Sequence, residues 1–482
     1  MRIKALFSLA VLGYAGLALA QATPAQNVVI EEKKTETVTV VVNQAPKPPA
    51  FVFELHGFTS MTMYFQDAAF GVNNNNPANG QAALNVIKTY SADKPLFGAD
   101  IRQTRLNFSV RGPEILGGAV PKAVVELDFF GGDTAGAFGD VSLAPRVRTI
   151  YTELKWANTT LQFGQQNMLI VGGLIPQSLS HIAFPYAYTA GLVGWRSPGI
   201  WGYHTFGADT KLELAWAVMR SGWANNAQAD ASLSAAVAGN WNFINAGVAS
   251  GLPAFEARAK ASMGKLLDLW VSGHWQLVDR NGPGVIGNGN LQTTMTTLVG
   301  TVGMKLDTGM FVLQGNAWYG KNVGPLFGHV LQLSTNPNTQ GDIFGYGAWG
   351  QVGFNFSKEF SVWYMLGLDH PLYSSVFANN LAVMRNMNQV GMIRYQAGNF
   401  AFGLEWLYSR TTYNHQATIS SVVVGSATGT VPVFPATCGA TGNVPNPAGP
   451  GCAIITTNTN AQLAVNNVLT GNQISTTFNY YF

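Results

Sequence analysis

Of the seven Lys and Arg residues between positions 105 and 196, six, Arg105, Arg111, Lys122, Arg146, Arg148 and Arg196, form the candidate set, with Glu126 and Asp128 among them. No Asp or Glu occurs between Glu153 and Asp209. Guanidinium forks match carboxylates, and a row of them beside a narrow aqueous path concentrates anions. A cation-preferring constriction would instead set carboxylates opposite the basic wall. The spacing therefore predicts a modest anion preference. The same arginines could also pair with Glu126 and Asp128 to brace the wall, and both can hold at once.

Other chemistries lack their residues. The seven histidines, at 56, 181, 204, 274, 329, 370 and 415, come without a G-x-S-x-G elbow, so no catalytic residue is assigned and an outer-membrane hydrolase is not expected. No His/Asp/Glu cluster has ligand spacing, so neither a metal nor a cofactor is expected, and no basic cluster suggests nucleic acid. Cys438 and Cys452 flank a Gly/Pro/Asn-rich stretch. In an oxidising compartment they would pair and staple one loop, worth about 3 kcal/mol in the chain-entropy model.

The basic residues need a frame that holds them to one face, and the sequence supplies it. In 102–111, Thr104, Leu106, Phe108 and Val110 share one face while Gln103, Arg105, Asn107, Ser109 and Arg111 share the other. In 122–129, Lys122, Val124, Glu126 and Asp128 oppose Ala123, Val125, Leu127 and Phe129. Only 11% of residues are charged, 12% are aromatic, and Gly numbers 54. This is the signature of an all-β, sixteen-stranded antiparallel transmembrane β-barrel. Arg or Lys on a lipid face near the midplane costs about 2–4 kcal/mol, so the charged sets belong inside. That implies a polar lumen, water-filled or plugged, in place of a packed core. Glu126, Asp128, Asp268 and Glu405 are expected to neutralise part of it.

Sixteen strands are predicted near 53–66, 99–111, 120–131, 145–156, 159–166, 195–206, 210–221, 253–263, 265–278, 293–306, 309–321, 343–356, 359–370, 382–396, 399–412 and 472–482. Alternation leaves the register open in the sixth, eighth and fourteenth, so Arg394 could take either face. Turns near 157, 208, 308, 358 and 398 are short, whereas 67–98, 222–252, 322–342 and 413–471 are long. Short periplasmic turns and long extracellular loops suit such a barrel. Trp156, Trp201, Tyr203, Tyr319, Tyr408 and Tyr480 are expected in interfacial girdles. Phe478, Tyr480 and Phe482 share one face of the last strand and form a candidate C-terminal signal for the barrel-assembly machinery.

Residues 1–20 read as a signal peptide, with Arg2 and Lys4 before an apolar core and Ala18-Leu19-Ala20 at the cleavage site. Residues 21–52 read as a periplasmic N-terminal extension and linker, and 53–482 as the barrel. No plug domain of the kind a TonB-dependent transporter carries precedes it. The connection 167–194, NMLIVGGLIPQSLSHIAFPYAYTAG within it, is too apolar to sit in solvent and is expected to fold into the lumen as the third external loop.

The runs Arg105-Leu106-Asn107-Phe108-Ser109-Val110-Arg111-Gly112-Pro113 and Val125-Glu126-Leu127-Asp128-Phe129-Phe130-Gly131 resemble the opening strands of the DcaP-like trimeric porins. So do Pro145-Arg146-Val147-Arg148, Thr152-Glu153-Leu154, Phe163-Gly164-Gln165, Arg196-Ser197-Pro198 and Gly403-Leu404-Glu405-Trp406. The resemblance covers most of 53–482 and concentrates in 99–200. It implies a homotrimeric sixteen-stranded channel in the bacterial outer membrane. Such a channel would pass small hydrophilic solutes, anionic or neutral, with the basic residues above setting a preference for carboxylates. The family's longer helical N-terminal extension has no counterpart in 21–50, so trimerisation would fall to the barrel wall. A barrel-anchored surface adhesin or structural protein is the alternative, suggested by the 413–471 loop and its cysteines.

Overall fold

The structure, a computed structural model, describes residues 28–31, 39–42, 51–72, 76–78, 85–86, 95–131, 133–135, 141–222, 246–279, 294–332, 342–376, 382–417 and 463–482. The signal peptide, Cys438 and Cys452, and most of 21–52 and 413–471 lie outside the described residues. The chain divides into Met1–Val52 and Phe53–Phe482. In the first unit Val28–Glu31 pairs antiparallel with Thr39–Val42.

The second unit is a closed antiparallel barrel with sixteen strands among the described residues. They are β1 (Val52–Gln66), β2 in two halves (Leu96–Asp100 and Arg105–Arg111), β3 (Val120–Asp128), β4 (Arg146–Lys155), β5 (Thr159–Asn167), β6 (Arg196–Phe206), β7 (Thr210–Met219) and β8 (Ala254–Met263). Then come β9 (Leu267–Asp279), β10 (Thr294–Asp307), β11 (Phe311–Lys321), β12 (Phe344–Asn355), β13 (Phe360–Pro371), β14 (Val383–Ala397), β15 (Phe400–Ala417) and β16 (Leu463–Tyr481). Each strand pairs with its sequence neighbour, and β16 closes on β1 from Gln473↔Gln66 to Tyr481↔Phe58. Closure leaves no edge, so every wall N–H and C=O has a partner, as a membrane span requires. No helix among the described residues is long and apolar enough to cross a membrane.

The strands follow the period of two. Along β15, Gly403, Glu405, Leu407, Ser409 and Thr411 are buried, while Leu404 and Trp406 are outward and exposed. Ile150, Leu214, Val271, Val302, Leu366, Ile393 and Ile474 continue the apolar outer surface. Phe478, Tyr480 and Phe482 also lie outward, and Phe482 exchanges backbone hydrogen bonds with Gly57 across the closure.

The wall departs from simple alternation in places. β2 breaks at 101–104, where the Asp100 carboxylate accepts the Arg102 N–H at 2.8 Å and the chain makes a short turn before resuming the strand. β4 bulges between Val147 and Thr149, so Arg148 and Thr149 are buried side by side and the parity reverses after them. β15 and β16 pair out to Ala417↔Leu463, beyond the predicted limits of 412 and 472. Polar Thr and Asn there carry no apolar alternation to announce a strand.

The expectation of an interior polar all round is corrected. One buried cluster gathers Trp201 of β6, Ala215, Ala217 and Met219 of β7, Val299 of β10, Trp318 of β11, Trp349 of β12, Met365 of β13, Val390 of β14 and Leu407 of β15. Trp201 is fully buried and Tyr203 packs against the same cluster, so neither belongs to a girdle. Odd positions of β6 face inward, and the segment after β5 covers them.

Candidate functional site

The segment 168–194 lies across the barrel interior. Met168, Leu169, Ile170, Val171, Tyr186, Tyr188, Leu192 and Val193 belong to the buried cluster. A buried irregular segment leaves its backbone polar groups without water, and wall side chains must satisfy them. Glu256 of β8 accepts the Leu169 N–H, and its other oxygen lies 2.9 Å from His274 Nδ1. Gln351 of β12 clamps Gln177 twice, accepting its N–H at 2.7 Å and donating to its carbonyl at 3.0 Å. Asn388 of β14 donates to the Tyr186 carbonyl at 2.8 Å, and Asn386 to that of Thr189 at 3.0 Å. Glu405 of β15 takes three bonds: from Ser178 Oγ at 2.7 Å, Leu179 N at 2.6 Å and Ser180 N at 2.8 Å. From the break in β2, Gln103 donates to the Leu179 carbonyl and accepts the Ile182 N–H.

Glycine makes room for this seating. A Cβ on Gly367 of β13 would stand 2.2 Å from the Ala190 carbonyl oxygen. Gly191, at φ +103°, sits where a Cβ would meet the backbone of Ala348 at 2.2 Å.

A second segment, 322–332, packs on the first, although its sequence position suggested a plain external loop. Gly194 N–H donates to the Leu326 carbonyl at 2.8 Å, and Tyr188 stacks on Phe327 with centroids 4.2 Å apart. The apolar run Val323–Leu331 carries the same signal that marked 167–194. His329, Val330 and Leu331 all take positive φ, of 51°, 50° and 63°. Asp369 of β13 accepts the Val330 N–H at 3.4 Å and helps hold this left-handed turn. Burial pushes the His329 imidazole down to about 3, so it stays neutral here. Unfolded or opened, it returns to about 6.5 and gains a proton below that pH. His329's own contribution to the segment's stability is therefore complete above pH 6.5 and falls as pH drops toward 3. That contribution alone makes opening easier by up to about 3 kcal/mol at pH 4 than at pH 7. Hydrogen exchange of the 323–331 amides, corrected for its intrinsic pH dependence, should show this as the difference between the parent protein and His329→Gln, growing as pH falls from 7 to 4.

The wall of β2, β3, β4 and the start of β6 carries the basic residues. Arg146 grips Asp128 bidentately, at 2.9 and 2.6 Å. Arg148, lifted inward by the bulge, reaches Glu126 at 2.7 Å and Asp128 at 2.8 Å. Arg105 stands 3.8 Å from Glu126, and its Nε and Nη2 find no acceptor among the described residues. Arg111 and Lys122 share Glu54 at 3.5 and 3.9 Å, while Arg102 holds Asp100. Arg196 is buried and stacks on Trp195 at 4.0 Å, with no carboxylate paired to it among the described residues. Phe130, Phe184 and Trp195 surround the Arg146 guanidinium at 5.2, 5.0 and 5.8 Å.

Six of the eight residues singled out in the sequence, Arg105, Glu126, Asp128, Arg146, Arg148 and Arg196, thus come together on β2, β3, β4 and the start of β6, while Arg111 and Lys122 stand with Glu54 further along the wall. Glu126 and Asp128 brace the arginines, as one of the two sequence readings held. Glu405, expected to neutralise the lumen, is instead wholly engaged by the inserted segment. Arg102, Arg105, Arg146, Arg148 and Arg196 face Asp100, Glu126 and Asp128, a surplus of two positive charges, while Arg111 and Lys122 are balanced by Glu54 and by Glu153, which lies directly across from Lys122 on β4. No group of three or more His, Cys, Asp or Glu that could hold a metal occurs among the described residues.

No protein-family model matches the chain, and no curated protein matches its sequence. The solved structures do. The outer membrane channel DcaP of Acinetobacter baumannii superposes with a TM-score of 0.59 at 12% identity, over 90% of this chain and 97% of that one. The chain has the fold of that channel. The anion-selective porin from Comamonas acidovorans superposes with a TM-score of 0.50 at 9% identity, over 90% of this chain and 100% of that one.

Proposed function

We propose that this protein is an outer-membrane porin that lets small hydrophilic solutes diffuse passively, with a modest preference for anions such as carboxylates. The observation that supports the anion preference most directly is the surplus of two positive charges around Glu126 and Asp128. The segment opposite brings no Asp or Glu to offset it. Arg105, Arg111, Lys122, Arg146, Arg148 and Arg196 line the path, with Glu126 and Asp128 setting their orientation. The apolar outer surface supports insertion in outer-membrane lipid, and the exposed stripe Phe478, Tyr480 and Phe482 suits recognition by the assembly machinery. The homotrimer is carried over from the resemblance to DcaP-like porins. We read the protein as non-catalytic, because its inward carboxylates serve ion pairs and segment anchors.

Single-channel recording in a planar bilayer under a salt gradient tests this reading. A current with an anion-side reversal potential, in triplet steps, is the expected result. A verified folded barrel that carries no current would overturn it and favour the adhesin or structural role.

A further inference from the structure

At the turn end of the barrel the interior opens into two cavities, of about 620 and 360 Å³, that share Arg394 and Gln396. The structure resolves the face that the sequence left open: Ile393 and Tyr395 are outward and exposed, so Arg394 turns inward. It donates to Gln396 Oε1 and pairs with no carboxylate among the described residues. The acid lining the larger cavity, Glu359, already accepts from the Ser357 hydroxyl at 2.8 Å. This is a cation with donors to spare, on a strand that carries none of the braced cluster.

The smaller cavity sets apolar side chains beside Arg394, with Gln177, Ser178 and Gln396 completing its lining. Ile175, Pro176 and Leu179 come from the inserted segment, and Phe58 and Tyr481, with ring centroids 5.6 Å apart, come from the two strands that close the barrel. Arg105 lies over the same Phe58 ring at 5.6 Å. Ligand sites are typically mostly apolar cavities with a few polar groups that fix orientation. A guanidinium has five donors in a fork that a carboxylate meets bidentately. A small hydrated anion would leave the apolar wall uncovered, and a neutral ring would leave Arg394 unanswered. The cavity asks for both features in one molecule.

We propose that this cavity binds small monocarboxylates with an apolar body, the carboxylate on Arg394 and the body against Phe58, Ile175 and Pro176. Such a site would be a station at the turn-side mouth; that role rests on the porin reading, whereas the binding does not. Isothermal titration of the refolded full-length protein in zwitterionic micelles tests it, with sodium benzoate, sodium acetate and benzyl alcohol as probes. Saturable benzoate heat is expected, with benzyl alcohol and acetate each at least about tenfold weaker. Arg394→Gln should weaken benzoate by a similar factor, and Ile175→Ser should weaken it severalfold, each in a barrel shown to be folded by circular dichroism. Partition into detergent would be unsaturable and identical in the variants. Absence of saturable benzoate binding, or binding that Arg394→Gln leaves intact, overturns the proposal. Conductance of the same preparation reports separately on the channel, so one can fail without the other.

Discussion

Glu405→Ala is expected to give a channel of larger unit conductance and greater current noise than the parent protein. The Glu405 carboxylate is 1% exposed and accepts from Ser178 Oγ, Leu179 N and Ser180 N at 2.6–2.8 Å. Alanine leaves three buried donors without their acceptor, and each such group costs about 1–3 kcal/mol. A total of at least about 3 kcal/mol moves the seated-to-released equilibrium more than a hundredfold. Release would remain partial, because Glu256 still holds Leu169 and Gln351 still clamps Gln177. Glu405→Gln keeps one acceptor oxygen and should show a smaller effect of the same sign. An unchanged trace from a folded Glu405→Ala barrel would mean that the segment does not limit the current.

The contrast between Glu405 and Arg105 shows what the sequence could and could not disclose. Strand positions were legible because alternation is a local rule: Leu106, Phe108 and Val110 face outward and Arg105, Asn107 and Ser109 inward, whatever the rest of the chain does. The rule falls silent where both faces are apolar. In β13, FSVWYMLGLDHP, nothing local marks Trp363 and Met365 as inward, and only the segments lying over that wall explain them. The bulge at Val147–Thr149 likewise follows from how β4 meets β3, since residues on both strands set its position. Glu405 was legible as an inward carboxylate. Its engagement by Ser178, Leu179 and Ser180 was not, since those partners lie over two hundred positions away in the chain. The basic cluster was legible in its members, and its charge balance emerged only once that acid was removed from the count. The 322–332 segment had an apolar run to announce it, which its place between two strands concealed.

That charge balance makes a second large effect predictable, and with it a pattern of signs. Arg196→Gln and Arg105→Gln should each move the reversal potential toward the cation side with little change in barrel stability. Arg196 pairs with no carboxylate among the described residues, and Arg105 holds Glu126 only at 3.8 Å. Arg146→Gln removes the same unit of charge but also strips the fully buried Asp128 of its bidentate partner. Breaking a buried pair in this way costs on the order of 3 kcal/mol, so its thermal midpoint should fall as well. Asp128→Asn should act in the opposite electrical direction, since it frees Arg146 and half of Arg148. One unit charge acting at 5 Å through water contributes about 0.8 kcal/mol, roughly a fourfold change in local anion concentration. Screening over about 8 Å at physiological ionic strength trims that figure, so the shifts should grow as the salt is diluted. If Arg105→Gln and Arg196→Gln both leave the reversal potential where it was, the ladder braces the wall and permeating ions do not feel its surplus. If instead the two shift it while Arg146→Gln and Asp128→Asn move it in opposite directions, the same arginines both hold the wall and select the solute.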